Sequence, residues 1–362
     1  MTVFQDVSIV IPNWNGEKLL AEFLPSVLQA AKYYKQKHNA NVEIIIVDDG
    51  SIDDSVNWLK KNYPTEIKLV EQKVNSGFSQ TANKGFQTAQ YPIIFLLNND
   101  IKVEETAIAP LAKHFNDKNL FGVCSKAYRL ESDLFDGAGK LGKFHRGHWH
   151  IFVNYDILPT KLPKESPKFY SFIASGGYSA FDRAKLFQLG GFCPLMNPFY
   201  WEDAELCYRA WKRGWTIHYE PNSIVYHRSS ATIGKKVPAR EIQIISERNR
   251  LLMHWINLHD KIWFASHCFW VLLKLFQALI KLDLAYWQSV LAALKLLPKA
   301  LKLRKQELLE AKTTDQEIAN LFSTLSKESW LMVIHNPTDY YNYVKVKEAL
   351  EQKNQLNSVE QI

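Results

Sequence analysis

Cysteine is scarce. The chain has four in 362 residues (Cys124, Cys193, Cys207 and Cys268), widely separated and with no Cys-x-x-Cys pair. That excludes a zinc knuckle or a disulfide framework and fits a reducing cytosol. Two glycine signatures are also missing. No Gly-x-Gly-x-x-Gly follows the first strand-like run and no Gly-x-x-x-x-Gly-Lys-Ser/Thr occurs, so the phosphate cradles of dinucleotide and P-loop sites are excluded. The N-terminal MTVFQDVSIVIPNWN has no basic start, long apolar segment or small-residue cleavage site, and the expectation is a chain that is not secreted. What is present is apolar bulk: 47% hydrophobic and 13% aromatic residues, enough for one large folded domain or two rather than disorder.

The net charge of +7 is local. Between Arg228 and Lys312 there are 15 Lys and Arg against 6 Asp and Glu, so the rest of the chain is close to neutral. Nucleic acid is the usual partner of a basic stretch, but these charges sit among Trp, Phe and Leu rather than in a polar run, so no nucleic-acid partner is expected. The mixture suits a membrane surface better. In KIWFASHCFWVLLKLFQALIKLDLAYWQSVLAALKLLPKALKLRKQ (261–306), Lys274 and Lys281 break the apolar run at intervals shorter than the ~20 residues of a comfortable span, so the segment is expected to lie on a membrane. A pair of soluble core helices and a transmembrane hairpin are the competing readings.

Strand-like and helical patterns alternate through the first hundred residues. VSIVIP (7–12), VEIIIVDD (42–49), IKLVEQ (67–72) and PIIFLLNND (92–100) read as strands, while EKLLAEFLPSVLQAAKYYKQK and FSQTANKGFQTAQ carry helical spacing. The result is an α/β fold with a mostly parallel sheet. Ligands gather beyond the carboxyl ends of such strands, and polar residues stand at three of them: Asn13 and Asn15, Asp48 and Asp49, Asn99 and Asp100. These ends are expected to line one cleft. Without a glycine cradle, a diphosphate there needs a cation. A strand-end carboxylate such as Asp100 is the hard oxygen ligand that Mg²⁺ or Mn²⁺ prefers.

Seven motifs occur in order: VSIVIPNWN, VDDGSIDDS, NSGFSQTANKG, FLLNND, GGYSAFDRAKLFQLGGF, FYWEDAELCYRAWKRGW and VYHRSS. Together they resemble the family-two inverting glycosyltransferases of GT-A fold, over roughly residues 7–255, and most of all the bacterial rhamnosyltransferase-like branch that builds surface polysaccharide. The resemblance implies a hexosyltransferase whose Asp49 contacts the nucleobase of a nucleoside diphosphate sugar, with Pro12, Asn13 and Asn15 on the same wall, Asp48 beside them and Gly77 giving the backbone a close approach. In NND, which stands for the family's Asp-x-Asp, Asp100 would bind a divalent metal with Asn99 at the nucleotide and Asn98 in place of the first carboxylate. His227 would reach the metal or the diphosphate. Asp203 would be the base that takes the proton of an acceptor hydroxyl, with Glu202, Gly176 and Gly177 around it; GGFC stands where Gly-Gly-Phe-Asp is commoner.

Each assignment has a structural competitor. Acids after a strand also form plain Asx turns, acids before AELCYRAWKRG also complement a helix N-terminus, and Arg248 and Arg250 in ERNRLL could grip diphosphate or sit on a solvated face. A sugar nucleotidyltransferase and a non-catalytic membrane-bound scaffold are the alternative functions. The expected organisation is a GT-A domain over 1–230 (nucleotide half about 1–115, acceptor half about 116–230), a basic aromatic helical extension over 231–312 that meets the membrane, and a tail over 313–362. The acceptor is expected to be a glycan or lipid-linked glycan, and the location the cytoplasmic face of the cell membrane.

Overall fold

The computed structural model describes residues 4–130, 132, 134–165, 167–228 and 237–335. The expected domain boundary at 230 and most of the tail lie outside them. The order of elements is β1 (Val7–Asn13), α1 (Glu17–His38), β2 (Val42–Asp48), α2 (Ser55–Asn62), β3 (Lys68–Glu71), α3 (Phe78–Thr88), β4 (Ile93–Leu97), β5 (Ile101–Val103) and α4 (Ile108–His114). There follow β6 (Leu120–Arg129), β7 (Phe135–Gly137), β8 (Gly139–His145), β9 (His148–Ile157), β10 (Tyr178–Asp182), α5 (Arg183–Gln188), α6 (Glu202–Lys212) and β11 (Thr216–His227). The C-terminal part is α7 (Ala239–Asn257), α8 (Lys261–Ile280), α9 (Leu284–Lys295), α10 (Leu297–Glu310), α11 (Asp315–Leu325) and β12 (Leu331–Ile334).

Among the described residues the main sheet runs β3-β2-β1-β4-β10-β6-β11-β5, with β7 on β6. β1 is buried along its whole length, as a central strand covered on both faces must be. Its odd residues Val7, Ile9 and Ile11 pack with α1 and α4, while Val10 faces α3 and the second core. The parallel register sets Asn13 opposite Asp48 and Val10 opposite Leu96; three residues further on it brings Asn99 opposite Asn13. Three strand ends therefore meet because the register aligns them. β10 runs antiparallel between β4 and β6, and β11 ends antiparallel to β5 with His227 opposite Ile101.

The C-terminal helices are not an appendage. Leu251, Leu252, Met253 and Ile256 of α7 are buried in the same core as α6. The first part of the expected tail is built in too. β12 pairs with β9, and Asp315 at the start of α11 is a buried hub, accepting from Tyr208 Oη, Lys212 Nζ and the amides of His259 and Asp260. An acid buried at 1% exposure is tolerable because every bond it accepts is supplied.

Candidate active site

Polar side chains at the ends of β1, β2 and β4 form one connected network. Asn13 donates from Nδ2 to Asp48 Oδ2 at 2.9 Å and accepts from Asn99 Nδ2 at 2.8 Å. Gly16 leaves room for that pair, since a Cβ there would stand 2.2 Å from Asn99 Nδ2 and 2.3 Å from Asn13 Oδ1. Asp48 also accepts Ser51 N and Oγ at 2.9 and 2.6 Å. Its lone pairs go into the turn, the Asx-type role. Asn15 holds the same turn, its amide donating to Ser51 Oγ and its Oδ1 accepting Ile52 N. Pro12 is buried just before them in β1.

Asp49 organises the loop after β3. Its Oδ1 accepts Ser76 N, Ser76 Oγ and Gln72 Nε2 at 2.7, 2.9 and 3.0 Å, and its Oδ2 accepts Gly77 N at 3.0 Å. Gly77 has φ +86 and sits against Pro198, a conformation that glycine adopts without strain. Asp49 and Gly77 thus belong to one unit, the wall on which α3 begins.

Asp100 lies one step along, buried at 7% exposure. Oδ1 is buried without a hydrogen-bond partner, and Oδ2 stands 3.6 Å from His227 Nε2. The β5–β11 register and the bond from Arg228 N to Asp100 O at 3.1 Å bring the two together. On the other side of the imidazole, Asp136 of β7 meets Nδ1 at 2.8 Å. Burial opposes the histidine charge, but hydrogen bonding and attraction from Asp100 and Asp136 prevail and raise its pKa to about 9, so a cation at this position would bind in exchange for the Nε2 proton. An orphaned carboxylate oxygen beside an imidazole whose far nitrogen is held by a second carboxylate is the donor set of a divalent metal with its outer support. The residues present fit Mg²⁺ or Mn²⁺. Sequence reasoning missed Asp136: FDGAG carries no sign that its partner lies 91 residues away.

Gly176 and Gly177 join this wall to the acids of α6. Asn98 N donates to Gly177 O at 2.9 Å, and a Cβ on Gly177 would meet Asn98 Nδ2 at 2.9 Å. Gly176 N donates to Asp203 Oδ2 at 3.1 Å, and Asp203 Oδ1 accepts Ala204 N, in the first turn of α6, at 2.7 Å. Burial raises the Asp203 pKa against those bonds. Glu202, 8% exposed and with Oε2 unpartnered, is raised by burial and then by the charge of Asp203 to about 8. Both carboxyls are pushed up by burial, and the amides of Gly176 and Ala204 favour the ionised form of Asp203, which suits it to base chemistry.

The loop before α6 is held from outside. Tyr200 and Trp201 have φ 70 and 71, unfavourable for bulky residues unless the surroundings impose it. Asn249 of α7, fully buried, points Nδ2 at the carbonyls of Met196, Phe199 and Tyr200. Arg248 donates to Asn197 O and to Asn249 Oδ1, while Arg250 pairs with Glu247 at 2.5 Å. In ERNRLL the sequence draws attention to the arginines, yet the asparagine between them reaches the loop most directly.

The sheet is mixed rather than mostly parallel, with β10 and β5 antiparallel to their neighbours; with its parallel half carrying the polar strand ends, an acidic strand end facing a histidine and an acid pair on a following helix, it has the GT-A fold. The model for glycosyl transferase family 2 matches residues 8–189, and the chain belongs to that family. It is 25% identical over 260 residues to human polypeptide N-acetylgalactosaminyltransferase 10, covering 70% of this chain and 42% of that protein; the chain thus spans less than half the length of this relative. Among solved structures it is similar to GalNAc-T7 with UDP, GalNAc and Mn²⁺ (TM-score 0.57, 19% identity, 71% of this chain and 49% of that one). It is also similar to the mannosyltransferase PcManGT from Pyrobaculum calidifontis with GDP-Man and Mn²⁺ (TM-score 0.51, 16% identity, 91% and 88%).

Proposed function

We propose that the chain transfers a hexose or deoxyhexose, rhamnose among the candidates, from a nucleoside diphosphate sugar to a glycan or lipid-linked glycan acceptor, with inversion, in the assembly of surface polysaccharide. One observation carries this reading: the glycine pair 176–177 ties the Asp203 carboxylate to the strand end that bears Asp100 and His227. Displacement at an anomeric carbon requires both a base and a cation, and the glycine pair links the residues that would supply them. Asp203 takes the proton of the acceptor hydroxyl, the new C–O bond forms, and the bond to the diphosphate breaks on the opposite face. A metal held by Asp100 and His227 would supply positive charge to the departing diphosphate, and Asp136 keeps the imidazole turned toward it. The loop that Asp49 organises, with Asn13, Asn15, Asp48, Asn99 and Gly77, forms the nucleotide wall.

Similarity to proteins solved with UDP and GalNAc or with GDP-Man supports a nucleotide-sugar donor and widens the choice of sugar beyond rhamnose. Donors of all three kinds should be screened with Mg²⁺ or Mn²⁺ for transfer and for slow hydrolysis. Asp100→Asn should abolish turnover and remove the metal dependence of nucleoside diphosphate binding while the fold remains. Unchanged metal-dependent affinity in that variant would refute the metal assignment, and hydrolysis of no donor would refute the activity.

We also propose that α8 lies on a membrane rather than across one. By length and composition the helix could span a bilayer, and little of it is buried. Its inner face, however, is committed to protein: His267, Val271 and Ala278 are buried, and Trp263 stacks on Phe144 at 4.2 Å. Ile262, Phe269, Leu272, Phe276 and Ile280 form a bare stripe on the outer face, while Lys274 turns its ammonium over the Tyr286 ring at 5.7 Å. Lys281, Lys295, Lys299, Lys302 and Lys305, which follow it in the chain, are exposed as well, a basic and apolar combination that suits an anionic, cytoplasmic-face bilayer.

A further inference from the structure

Away from the candidate active site, three histidines meet where the β8–β9 hairpin packs against α7 and α8. One ring nitrogen from each of His148, His254 and His267 lies within 4.8 Å of the others. The residues are 3%, 0% and 0% exposed. His267 Nδ1 donates to Gly147 O at 2.7 Å; since a carbonyl only accepts, that nitrogen carries the proton and Nε2 is a lone pair, buried without a partner. His254 is oriented in the same way, donating from Nδ1 to Arg250 O at 2.7 Å and accepting the Trp149 amide on Nε2 at 2.9 Å. His148, at the start of β9, has both ring nitrogens buried without a partner.

A buried polar atom without a partner costs about 1–3 kcal/mol, and here three such nitrogens fall in one cluster. Packing alone does not account for them, since leucine or phenylalanine would fill the same volume without that cost. We propose that His148, His254 and His267 form a structural site for a zinc-like dication that clamps the β8–β9 hairpin to α7 and α8. Three imidazoles are an established donor set for Zn²⁺, and imidazole favours Zn²⁺ over the hard ions expected at Asp100. The carbonyls of Gly147 and Arg250 already hold the Nδ1 protons of two of the rings, which leaves Nε2 as the lone-pair nitrogen, unpartnered in His267 and accepting the Trp149 amide in His254, the outer arrangement usual for metal-binding histidines. Burial, the leading cause of the lowered pKa at each ring, keeps the imidazoles in the neutral form that binds metal. At metal–nitrogen distances of roughly 2.0–2.1 Å the rings draw together on the ion. A water as fourth ligand takes over the hydrogen bond that the Trp149 amide now gives His254. The neighbouring Arg250 is paired with Glu247, which tempers its repulsion of a cation.

This site stands apart from the proposed transfer chemistry, so its test removes the other donors first. An Asp100→Asn, His227→Asn, Cys268→Ser protein is stripped with chelator and titrated with Co²⁺, the spectroscopic stand-in for zinc, and then with Zn²⁺. One Co²⁺ per chain with the visible bands of tetrahedral coordination, displacement by one Zn²⁺, and a zinc-dependent rise in Tm are expected. His148→Leu and His267→Leu, which fill the volume with apolar atoms, should each lose the bands and the Tm rise. A parent protein that binds no cobalt stoichiometrically overturns the proposal, as does full retention of the bands in both variants. Should either variant not fold, the parent titration decides alone.

Discussion

At the scale of single residues, the acids of the cleft differ in what they already accept. Asp48 and Asp49 are saturated by local donors, whereas Asp100 has a buried oxygen with no partner and Asp203 keeps its carboxylate only two bonds deep. Asp203→Asn should therefore cut transfer by ~10²–10⁴-fold, the usual contribution of a positioned base, and leave donor affinity nearly unchanged. Asp49→Ala should do the reverse, because it releases the Ser76–Gly77 loop. Calorimetric donor binding and separate transfer rates distinguish the two; a loss of donor affinity in Asp203→Asn as large as in Asp49→Ala would pass the base role to Glu202. The acid pair also predicts a pH dependence of stability. Glu202 ionises near its ordinary 4.5 in the unfolded chain and near 8 when folded, so its contribution is fully present below pH 4.5 and is lost as pH rises toward 8. Glu202→Gln should escape that loss, so its Tm relative to wild type should climb between pH 5 and pH 8.5; a difference that stays flat would remove the assignment.

At the scale of elements, α7 decides the shape of the loop that carries the acids. Asn249 faces three carbonyls across a conformation that Tyr200 and Trp201 would not adopt alone. Asn249→Ala leaves buried carbonyls without a donor, which costs ~1–3 kcal/mol. The variant should be less stable by that order in urea unfolding, and, on the proposal that the acids serve the acceptor, transfer should fall further than donor affinity. Equal loss of both would mean that the loop supports the nucleotide wall instead, through Asn197 Nδ2 and Ser76 O.

At the scale of the whole molecule, catalytic sheet and C-terminal helices form one body, so the membrane question is best asked without truncation. Removing everything beyond Arg240 would strip Leu251, Leu252 and Asn249 from the core. Leu272→Glu with Phe276→Glu alters only the exposed stripe. The full chain should co-sediment with anionic vesicles, more weakly as salt rises, and the double variant should stay in the supernatant with an unchanged Tm. Co-sedimentation equal to wild type would refute the surface reading, and a dimer of the wild type that the variant loses would give the stripe to a second copy of the chain.

The sequence by itself determined the alternation of strands and helices, the polar strand ends and the order of the motifs, because periodicity and turn chemistry are local. Strand-end patterning therefore reached Asn13, Asp49 and Asp100, whereas Asp203 and His227 came from the resemblance of their motifs to a known family. Tertiary structure alone decided what those residues touch: which of two adjacent acids is spent on a turn, which carboxylate is left orphaned, and that Asp136 stands behind His227. It also turned Asn249, Asp315 and the three buried histidines into partners of segments far away in the chain. Long-range register and packing set those contacts, and hydrophobic period records which face of an element is buried, not what it is buried against.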